Sequence, residues 1–322
     1  MNIYIKPVEA CNLRCAHCYN GEPNNDKLPI DQKLKGFVSE LIAARQDKEN
    51  WIIFHGGEPL LADEEQLREM AAIEIPNAKK RVTTNLTVPL TPARIKFLLA
   101  MDDIRTSFDI GIGRFSNIGN IVCWIHNIKK LRDMGGRLST LNICLTIPLL
   151  AHYAGEIAAL AVQLGFTTLS FEHICMTGRA TDDIIPWHEE CDIWLSRLYE
   201  ALWQARSPLQ VRNFEDIRLG ILGEHEQRRS QFCCKSTLTI NADGTVGECP
   251  NSARINIIGT TDSDPQELLK NKCQSCNKVF LAECLACEFY QQCRGGCREQ
   301  QWMDGVCAYP KKLAKMIEEM EF

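Results

Sequence analysis

The chain has 322 residues, 45% of them hydrophobic and 24% charged, which is the composition of a globular protein with enough apolar side chains for a sizeable core. A formal net charge of −5 offers no global basic field to nucleic acid or an anionic membrane, and no apolar run is long enough to span a bilayer. The N-terminus lacks the basic and apolar regions of a secretory signal, so a cytoplasmic protein is expected.

Apolar periodicity predicts alternating strands and helices through the first two thirds of the chain. Asn2–Val8 reads as a strand, and Asp31–Ala44 as a helix with Leu34, Phe37, Val38, Leu41 and Ile42 on one face. Trp51–His55 is a strand ending at Gly56-Gly57. Asp63–Ile73 is a helix, Lys80–Thr84 a strand, and Thr91–Ala100 a helix with Pro92 in its first turn. Ile104–Phe108, Leu138–Ile147 and Thr167–Glu172 are strands separated by helices Asn117–Met134 and Tyr153–Leu164 and followed by helix Pro186–Ala205. Six such units in series predict parallel strands with right-handed crossovers, and hence an α/β fold, an open sheet or a partial (β/α)6 TIM-type barrel, over residues 1–207. From Pro208 the pattern changes to short strands (Leu238–Asn241, Thr245–Glu248) around an Asp243-Gly244 turn, cysteine-rich loops and a closing helix, Pro310–Met320. Residues 208–322 form a small cysteine-rich domain with too few apolar residues for its own core, so it is expected to draw stability from bound metal.

The 17 cysteines are the unusual feature. An odd count without an export signal argues against a disulfide framework. Cys123, Cys144, Cys175 and Cys191 are scattered among apolar neighbours and read as small core residues. The others form two groups: Cys11, Cys15 and Cys18, and ten between Cys233 and Cys307. Three thiolates on a short loop, Cys11-x3-Cys15-x2-Cys18, suit three corners of an iron–sulfur cubane and leave one iron open. Structural zinc favours four ligands in paired Cys-x2-Cys knuckles, and His17 would have to fold back to be a fourth. Cys284-x2-Cys287-x5-Cys293-x3-Cys297 alone could also bind zinc. Tyr4, Tyr19, Trp51 and Phe54 read as barrel packing, His55, His126, His152 and His173 as satisfied polar residues, and Glu224–Arg229 as a solvated helix face. Glu172 and His173 end the sixth strand at the mouth of the predicted site and rank first for substrate contact.

Cys11-Asn12-Leu13-Arg14-Cys15-Ala16-His17-Cys18-Tyr19 resembles the signature of radical S-adenosylmethionine enzymes, with His17 at the usual aromatic position. Gly56-Gly57-Glu58-Pro59 is similar to that family's loop for the cofactor's methionine amino group, and the resemblance implies that Gly57 approaches the methionine too closely for a β-carbon. Thr83-Thr84-Asn85 and Ser107-Phe108-Asp109 lie where the family contacts ribose and methionine carboxylate, and Met176 and Gly178-Arg179-Ala180 follow the sixth strand near the adenine pocket. All fall at the carboxyl ends of predicted parallel strands, where such folds build their sites. Cys234-x9-Gly244-x4-Cys249 with Cys284, Cys287, Cys293, Cys297 and Cys307 resembles the SPASM extension of the family, which carries two auxiliary clusters. The resemblance implies that Cys284, Cys287, Cys293 and Cys307 ligate the outer cluster and Cys234, Cys249 and Cys297 the inner one. Cys233, Cys273 and Cys276 remain alternative sources of a further ligand.

The resemblance therefore implies three [4Fe–4S] clusters and S-adenosylmethionine, whose reductive cleavage gives a 5′-deoxyadenosyl radical that abstracts hydrogen from the substrate. The implied partners are a precursor peptide and a reducing donor such as flavodoxin or ferredoxin, with no role for nucleic acid or membrane. Oxidation or crosslinking of a ribosomal-peptide side chain is the first reading. A small-molecule radical dehydrogenase, a peptide epimerase and a zinc protein without this chemistry are the alternatives. A sulfatase-maturing enzyme is disfavoured because those enzymes carry aspartate where Pro250 follows Cys249.

Overall fold

The computed structural model describes residues 1–322 except 23, 46, 48, 116, 225–235, 276–281, 294, 298–302, 304 and 322, with 271–275 described as backbone only. Strands β1 (Asn2–Ile5), β2 (Asn50–Phe54), β3 (Ala78–Thr83), β4 (Asp103–Ser107), β5 (Leu138–Leu145) and β6 (Thr168–His173) lie side by side in sequence order, all parallel. The intervening helices are α1 (Gln32–Arg45), α2 (Glu64–Ala71), α3 (Pro92–Leu99), α4 (Ile118–Asp133), α5 (Ile147–Leu150) and α6 (Ala154–Gln163), with α7 (His188–Gln204) after β6. α1 buries the five residues that its periodicity selects. Asp63, Thr91, Asn117 and Thr146 cap the helices they precede by accepting a backbone N–H from the first turn.

The strand register divides the sheet into two unlike faces. Ile3, Ile5, Ile52, Phe54, Val82, Ile104, Leu141, Ile143, Leu169 and Phe171 face the helices, none more than 1% exposed. Burying each stabilises the fold by about 1.5–3 kcal/mol. Phe54 meets Phe97 of α3 and Phe171 meets Trp194 of α7 edge-on, at 5.7 and 5.4 Å between ring centroids. The other face carries Tyr4, Trp51, Arg81, Asp103, Arg105, Ser107, Asn142, Cys144, Ser170 and Glu172 in matched register, so the concave side of the sheet is polar. Cys144 thus belongs to the polar face and not to the apolar core that its sequence neighbours suggest. Cys191 is buried in the core.

The sheet continues past both ends of this array and does not close. β7 (Gln210–Val211) joins β6, and β8 (Thr237–Ile240) lies parallel to β1 on its other side. β9 (Thr245–Gly247) and β10 (Ile257–Thr260) follow antiparallel, so the order is β10-β9-β8-β1-β2-β3-β4-β5-β6-β7. An open partial barrel was the expectation, but the docking of β8 beside β1 was not. Thr237, Leu238, Thr239 and Ile240 alternate polar and apolar as a strand should, but all four are buried, and nothing in that pattern names β1 as the neighbour.

α8 (Arg212–Ile221) is stapled to β6 by buried Asn213, which accepts from Phe171 N at 2.9 Å and donates to Phe171 O at 3.0 Å. Short helices α9 (Pro265–Ser275), α10 (Ala282–Leu285) and α11 (Tyr290–Cys293) precede the last helix, α12 (Lys311–Glu321). Asp192 of α7 caps α12 by accepting from Lys312 N and Leu313 N, and Glu321 at its far end accepts from Arg218 and Tyr199. Among the described residues no helix is long and apolar enough to cross a membrane. The proposed charged helix face at 224–229 lies, after Glu224, outside the described residues.

The loop after β3 is fixed from α4, where buried Asn127 donates to Leu86 O at 2.9 Å and Val88 O at 2.8 Å. Replacing Asn127 by Leu leaves two buried carbonyls without a donor, and a loss of about 2–3 kcal/mol is expected in urea unfolding. Ile118→Ala, at a site 78% exposed on the same helix, should change stability by less than about 0.5 kcal/mol. Equal losses for the two variants would show that the loop does not depend on this amide.

Candidate cofactor and metal site

The carboxyl ends of β1, β2, β3, β4 and β6 converge on the segment from Cys11 to Tyr19, which has no regular secondary structure. Its backbone is held from several directions. Glu58 N donates to Ala10 O at 2.8 Å and Ala16 N to Ile112 O at 2.9 Å; Arg179, beyond β6, donates from N to Cys18 O at 3.0 Å and from Nη2 to Cys15 O at 2.8 Å. Leu13 N donates to Cys11 Sγ at 3.4 Å.

Three glycines make this convergence possible. Gly56 has φ +124°, and a Cβ there would stand 2.9 Å from Val8 O. A Cβ on Gly57 would fall 2.6 Å from the Glu9 carbonyl carbon and closer still to Ala10 O. At Gly178, with φ +65°, it would fall 2.6 Å from Tyr19 C and closer still to Cys18 O. The close approach at Gly57 is therefore to the backbone leading into Cys11, where the family resemblance implied a contact with methionine.

Glu58, 1% exposed, ties β2 to β3: its carboxylate accepts from Leu60 N at 3.0 Å, Thr84 Oγ1 at 2.6 Å and Asn85 N at 2.7 Å. Burial raises its pKa against the lowering effect of these donors. Asn85 Nδ2 donates to Asn12 Oδ1 at 2.9 Å and lies 4.0 Å from Cys11 Sγ, so the third strand reaches the first cysteine. Asp109, also buried, forms an ion pair with Arg114 and stands 3.9 Å from His17 Nε2. Burial opposes its charge, but Arg114 and His17 hold its carboxyl below the usual range. Burial lowers the His17 pKa.

Ser107 ends β4 opposite Asn142, and Met176 is exposed on the loop after β6. Exposed Glu172 accepts from Ser170 Oγ at 3.2 Å, and the rings of His173 and His188 stand edge-on at 5.4 Å. Sequence reasoning gave Lys6, Arg114 and Arg254 no role. Lys6 and Arg254 act through long-range contacts, and Arg114 through Asp109 five residues earlier, none of them within a recognisable motif.

Tyr19 and His55 form a second buried contact. Tyr19 OH stands 2.6 Å from His55 Nδ1, and Gly56 N donates to the same atom at 2.8 Å. Nδ1 must then be the acceptor and the imidazole proton must sit on Nε2. Burial, with Lys6 and Arg114 nearby, pushes the His55 pKa down to about 4.

The donor set fits an iron–sulfur cluster. His17, Asp109 and Cys144 bring their ligand atoms within 4.8 Å of one another, and no other such trio occurs among the described residues. Cys11, Cys15 and Cys18 are therefore not all this close, whereas thiolates sharing one zinc would stand about 3.8 Å apart. Asp109 Oδ1 and His17 Nδ1 are buried without a partner among the described residues, which leaves polar atoms for a bound group. Burial raises the thiol of Cys11 to about 11 and also raises that of Cys15, so iron binding must release protons.

In the C-terminal region, Cys307 and Cys284 both raise the Cys293 thiol pKa after burial, and Gly295 N and Gly296 N donate to its sulfur. Cys249 lies near enough to act on Tyr19. Cys233, Cys234 and Cys276, like the side chain of Cys273, fall outside the described residues.

Residues 5–161 match the Radical SAM superfamily model. The chain therefore carries a radical S-adenosylmethionine domain, a class that implies S-adenosylmethionine and one [4Fe–4S] cluster. No curated protein matches in sequence. Among solved structures, native anSMEcpe with bound S-adenosylmethionine aligns at TM-score 0.80 and 18% identity, covering 99% of this chain and 96% of that one. Streptococcus suis SuiB bound to precursor peptide SuiA aligns at TM-score 0.68 and 14% identity, covering 92% of this chain and 72% of that one. Both likenesses establish a shared fold.

Two predictions follow from this geometry. Gly57→Ala and Gly178→Ala should each cost iron at the first site, because the first pushes on the backbone leading into Cys11 and the second on the cysteine loop itself. Iron assay after anaerobic reconstitution checks this, and full iron with only weakened cofactor binding would return Gly57 to a methionine-contact role. Separately, His55 is neutral when folded, with a pKa of about 4 against about 6.5 unfolded. The unfolded state binds more protons between these values, so stability is full above pH 6.5 and is lost as pH falls toward 4, by about 3 kcal/mol in total. His55→Gln should remove most of that slope in urea titrations across pH 7 to 5.

Proposed function

We propose that the protein is a peptide-modifying radical S-adenosylmethionine enzyme that oxidises or crosslinks a peptide side chain and uses three [4Fe–4S] clusters. Cys11, Cys15 and Cys18 would hold the cluster that takes the cofactor. Cys284, Cys287, Cys293 and Cys307 would hold an outer auxiliary cluster, and Cys234, Cys249 and Cys297 an inner one. When bound and reduced by a donor such as flavodoxin or ferredoxin, the cofactor and first cluster supply a 5′-deoxyadenosyl radical that takes a hydrogen atom from substrate. Around it, Gly56 and Gly57 let β2 approach the cysteine loop, and Glu58 locks Thr84 and Asn85 in place. Asp109, held ionised by Arg114, and His17 would bind polar groups of the cofactor. Glu172 and His173 would meet the substrate at the mouth.

One observation carries the oxidative reading: the loop after Cys249 packs directly against the loop after Cys18. Arg254 Nη1 donates to Asn20 O at 3.0 Å and Arg254 Nη2 stands 3.0 Å from Glu9 Oε2, while Asn251 Nδ2 donates to Cys175 Sγ at 3.4 Å. A substrate radical formed there would have an electron acceptor beside it, and loss of that electron and a proton completes a two-electron oxidation. Simple rearrangement needs no such neighbour. A peptide substrate is supported by SuiB, crystallised with its precursor peptide, and by anSMEcpe, crystallised with Cp18Cys peptide at TM-score 0.76 and 19% identity, covering 99% of this chain and 95% of that one.

The reconstituted protein should contain about 12 irons per chain, and alanine at Cys11, Cys15 and Cys18 together should remove about four of them and abolish cofactor cleavage. Mass spectrometry of candidate peptides after anaerobic turnover should show a product two hydrogens lighter, with one 5′-deoxyadenosine per event. A product of unchanged mass, or turnover confined to a free sugar or cyclitol, would overturn the peptide-oxidation reading. Stoichiometric zinc in place of iron would overturn the cluster assignment.

A further inference from the structure

Cys175 is a buried thiol to which the proposed reaction gives no task. It lies just beyond β6, where Thr177 N donates back to Cys175 O at 2.7 Å and fixes the turn. Its sulfur accepts from Asn251 Nδ2 at 3.4 Å. Asn251 sits in the middle of a tight turn that Ser252 N closes on Cys249 O at 3.1 Å. The Cys175 sulfur is therefore tied to the turn that starts at Cys249. The other scattered cysteines lie elsewhere: Cys191 in the apolar core, Cys123 on α4 and Cys144 beside His17 and Asp109.

The inner cluster has three candidate ligands, Cys234, Cys249 and Cys297, whereas a cubane presents four irons. The first cluster needs an open iron for the cofactor, but the oxidation proposed at the inner one requires only that an electron pass. The segment leading to Cys297 is linked to β6 as well. Asn213 staples α8 to Phe171 of that strand, and a Cβ on Gly220 of α8 would stand 3.0 Å from Gln292 O. On the other side, Arg179 N donates to Cys18 O at 3.0 Å, so the loop carrying Cys175 runs between the first cysteine loop and the cysteine-rich region. A donated N–H favours thiolate over thiol, and thiolate is the form that binds iron.

We propose that Cys175 is the fourth ligand of the inner auxiliary cluster. The proposal rests on the three-cluster reading and completes it: the thiol gives its proton to solvent, its sulfur binds the fourth iron, and no electron moves. Coordination is then closed. Substrate cannot bind this cluster directly, and the cluster serves the reaction by accepting an electron. The strand array also supplies one ligand to a cluster otherwise held by the C-terminal region, so metal binding there docks that region onto β6.

The test uses the full chain, reconstituted anaerobically, with Cys11, Cys15 and Cys18 replaced by alanine so that the first cluster's open iron is absent. This parent should hold about eight irons, and once reduced it should show no coupling to isotopically labelled cyanide in electron–nuclear double resonance. Adding Cys175→Ala should open one iron, so that cyanide coupling appears in one cluster. Adding Asn251→Leu instead, which removes only the hydrogen bond, should leave coordination closed. If alanine costs the whole inner cluster, about four irons, then Cys175→Ser should keep them at a lowered midpoint potential, because oxygen replaces sulfur at iron. Coupling in the parent shows an open inner iron and overturns the proposal. So does a Cys175→Ala protein that keeps its irons without coupling, since another residue such as Cys233, Cys273 or Cys276 then ligates. Opening by Asn251→Leu, or a serine variant at the parent's potential, overturns it too by reducing Cys175 to a packing contact. Fewer than about eight irons in the parent removes the three-cluster reading itself, before Cys175 is touched.

Discussion

Nine residues between Cys11 and Tyr19 carry the candidate chemistry, and no helix or strand supports them. A buried irregular segment must find partners for its backbone groups elsewhere. Here they come from the ends of other units: Glu58 after β2, Ile112 after β4, Arg179 after β6 and, at Asn20, Arg254 after β9. The shape of the cysteine loop is therefore a property of the whole parallel array. It exists only when the strand ends are in register, which is why the glycines that crowd it, at 113 and 178, and the one that crowds the backbone leading into it, at 57, lie far from it in sequence.

The same array explains how a protein with a conventional apolar core keeps a polar interior. The helices cover one face of the sheet and take the apolar side chains. The concave face holds charges that satisfy one another: Asp103 accepts from Arg81 Nε at 2.7 Å and Arg105 Nε at 2.9 Å, and Arg81 lies 3.9 Å from the Trp51 ring centre. A planar guanidinium suits both the carboxylate and the ring face. Buried polar groups at this depth would be costly unpaired, so pairing is the condition for a lumen that admits a charged cofactor.

Much of this was legible in the chain itself. The helix faces and the parallel order of six strands follow from period and position, and the family resemblance implied that Gly56-Gly57-Glu58, Thr84-Asn85 and Asp109, at the ends of those strands, gather at the cysteine loop. The parts that were not legible share a physical cause. β8 was legible as a strand but its pairing with β1, across more than two hundred residues, was not; β7 has two residues, and α10 and α11 have four each. Lys6 and Arg254 carry no local pattern, since each acquires meaning only from a partner brought near by folding. Gly57 was legible as a residue that must lack a side chain, but the neighbour it makes room for was visible only in three dimensions.

The two cysteine-rich regions also differ in what holds them without metal. In the first, burial keeps the thiols of Cys11 and Cys15 neutral, and neutral buried groups cost little, while the backbone hydrogen bonds already fix the loop. In the second, α10 and α11 bury no residue fully, and the Cys293 sulfur relies on Gly295 N and Gly296 N. A binding free energy released where few side chains are buried becomes folding free energy. Metal should therefore complete a site already shaped in the barrel but help to build the one beyond it. Because each thiol must give up its proton to become a ligand, both steps are favoured by rising pH.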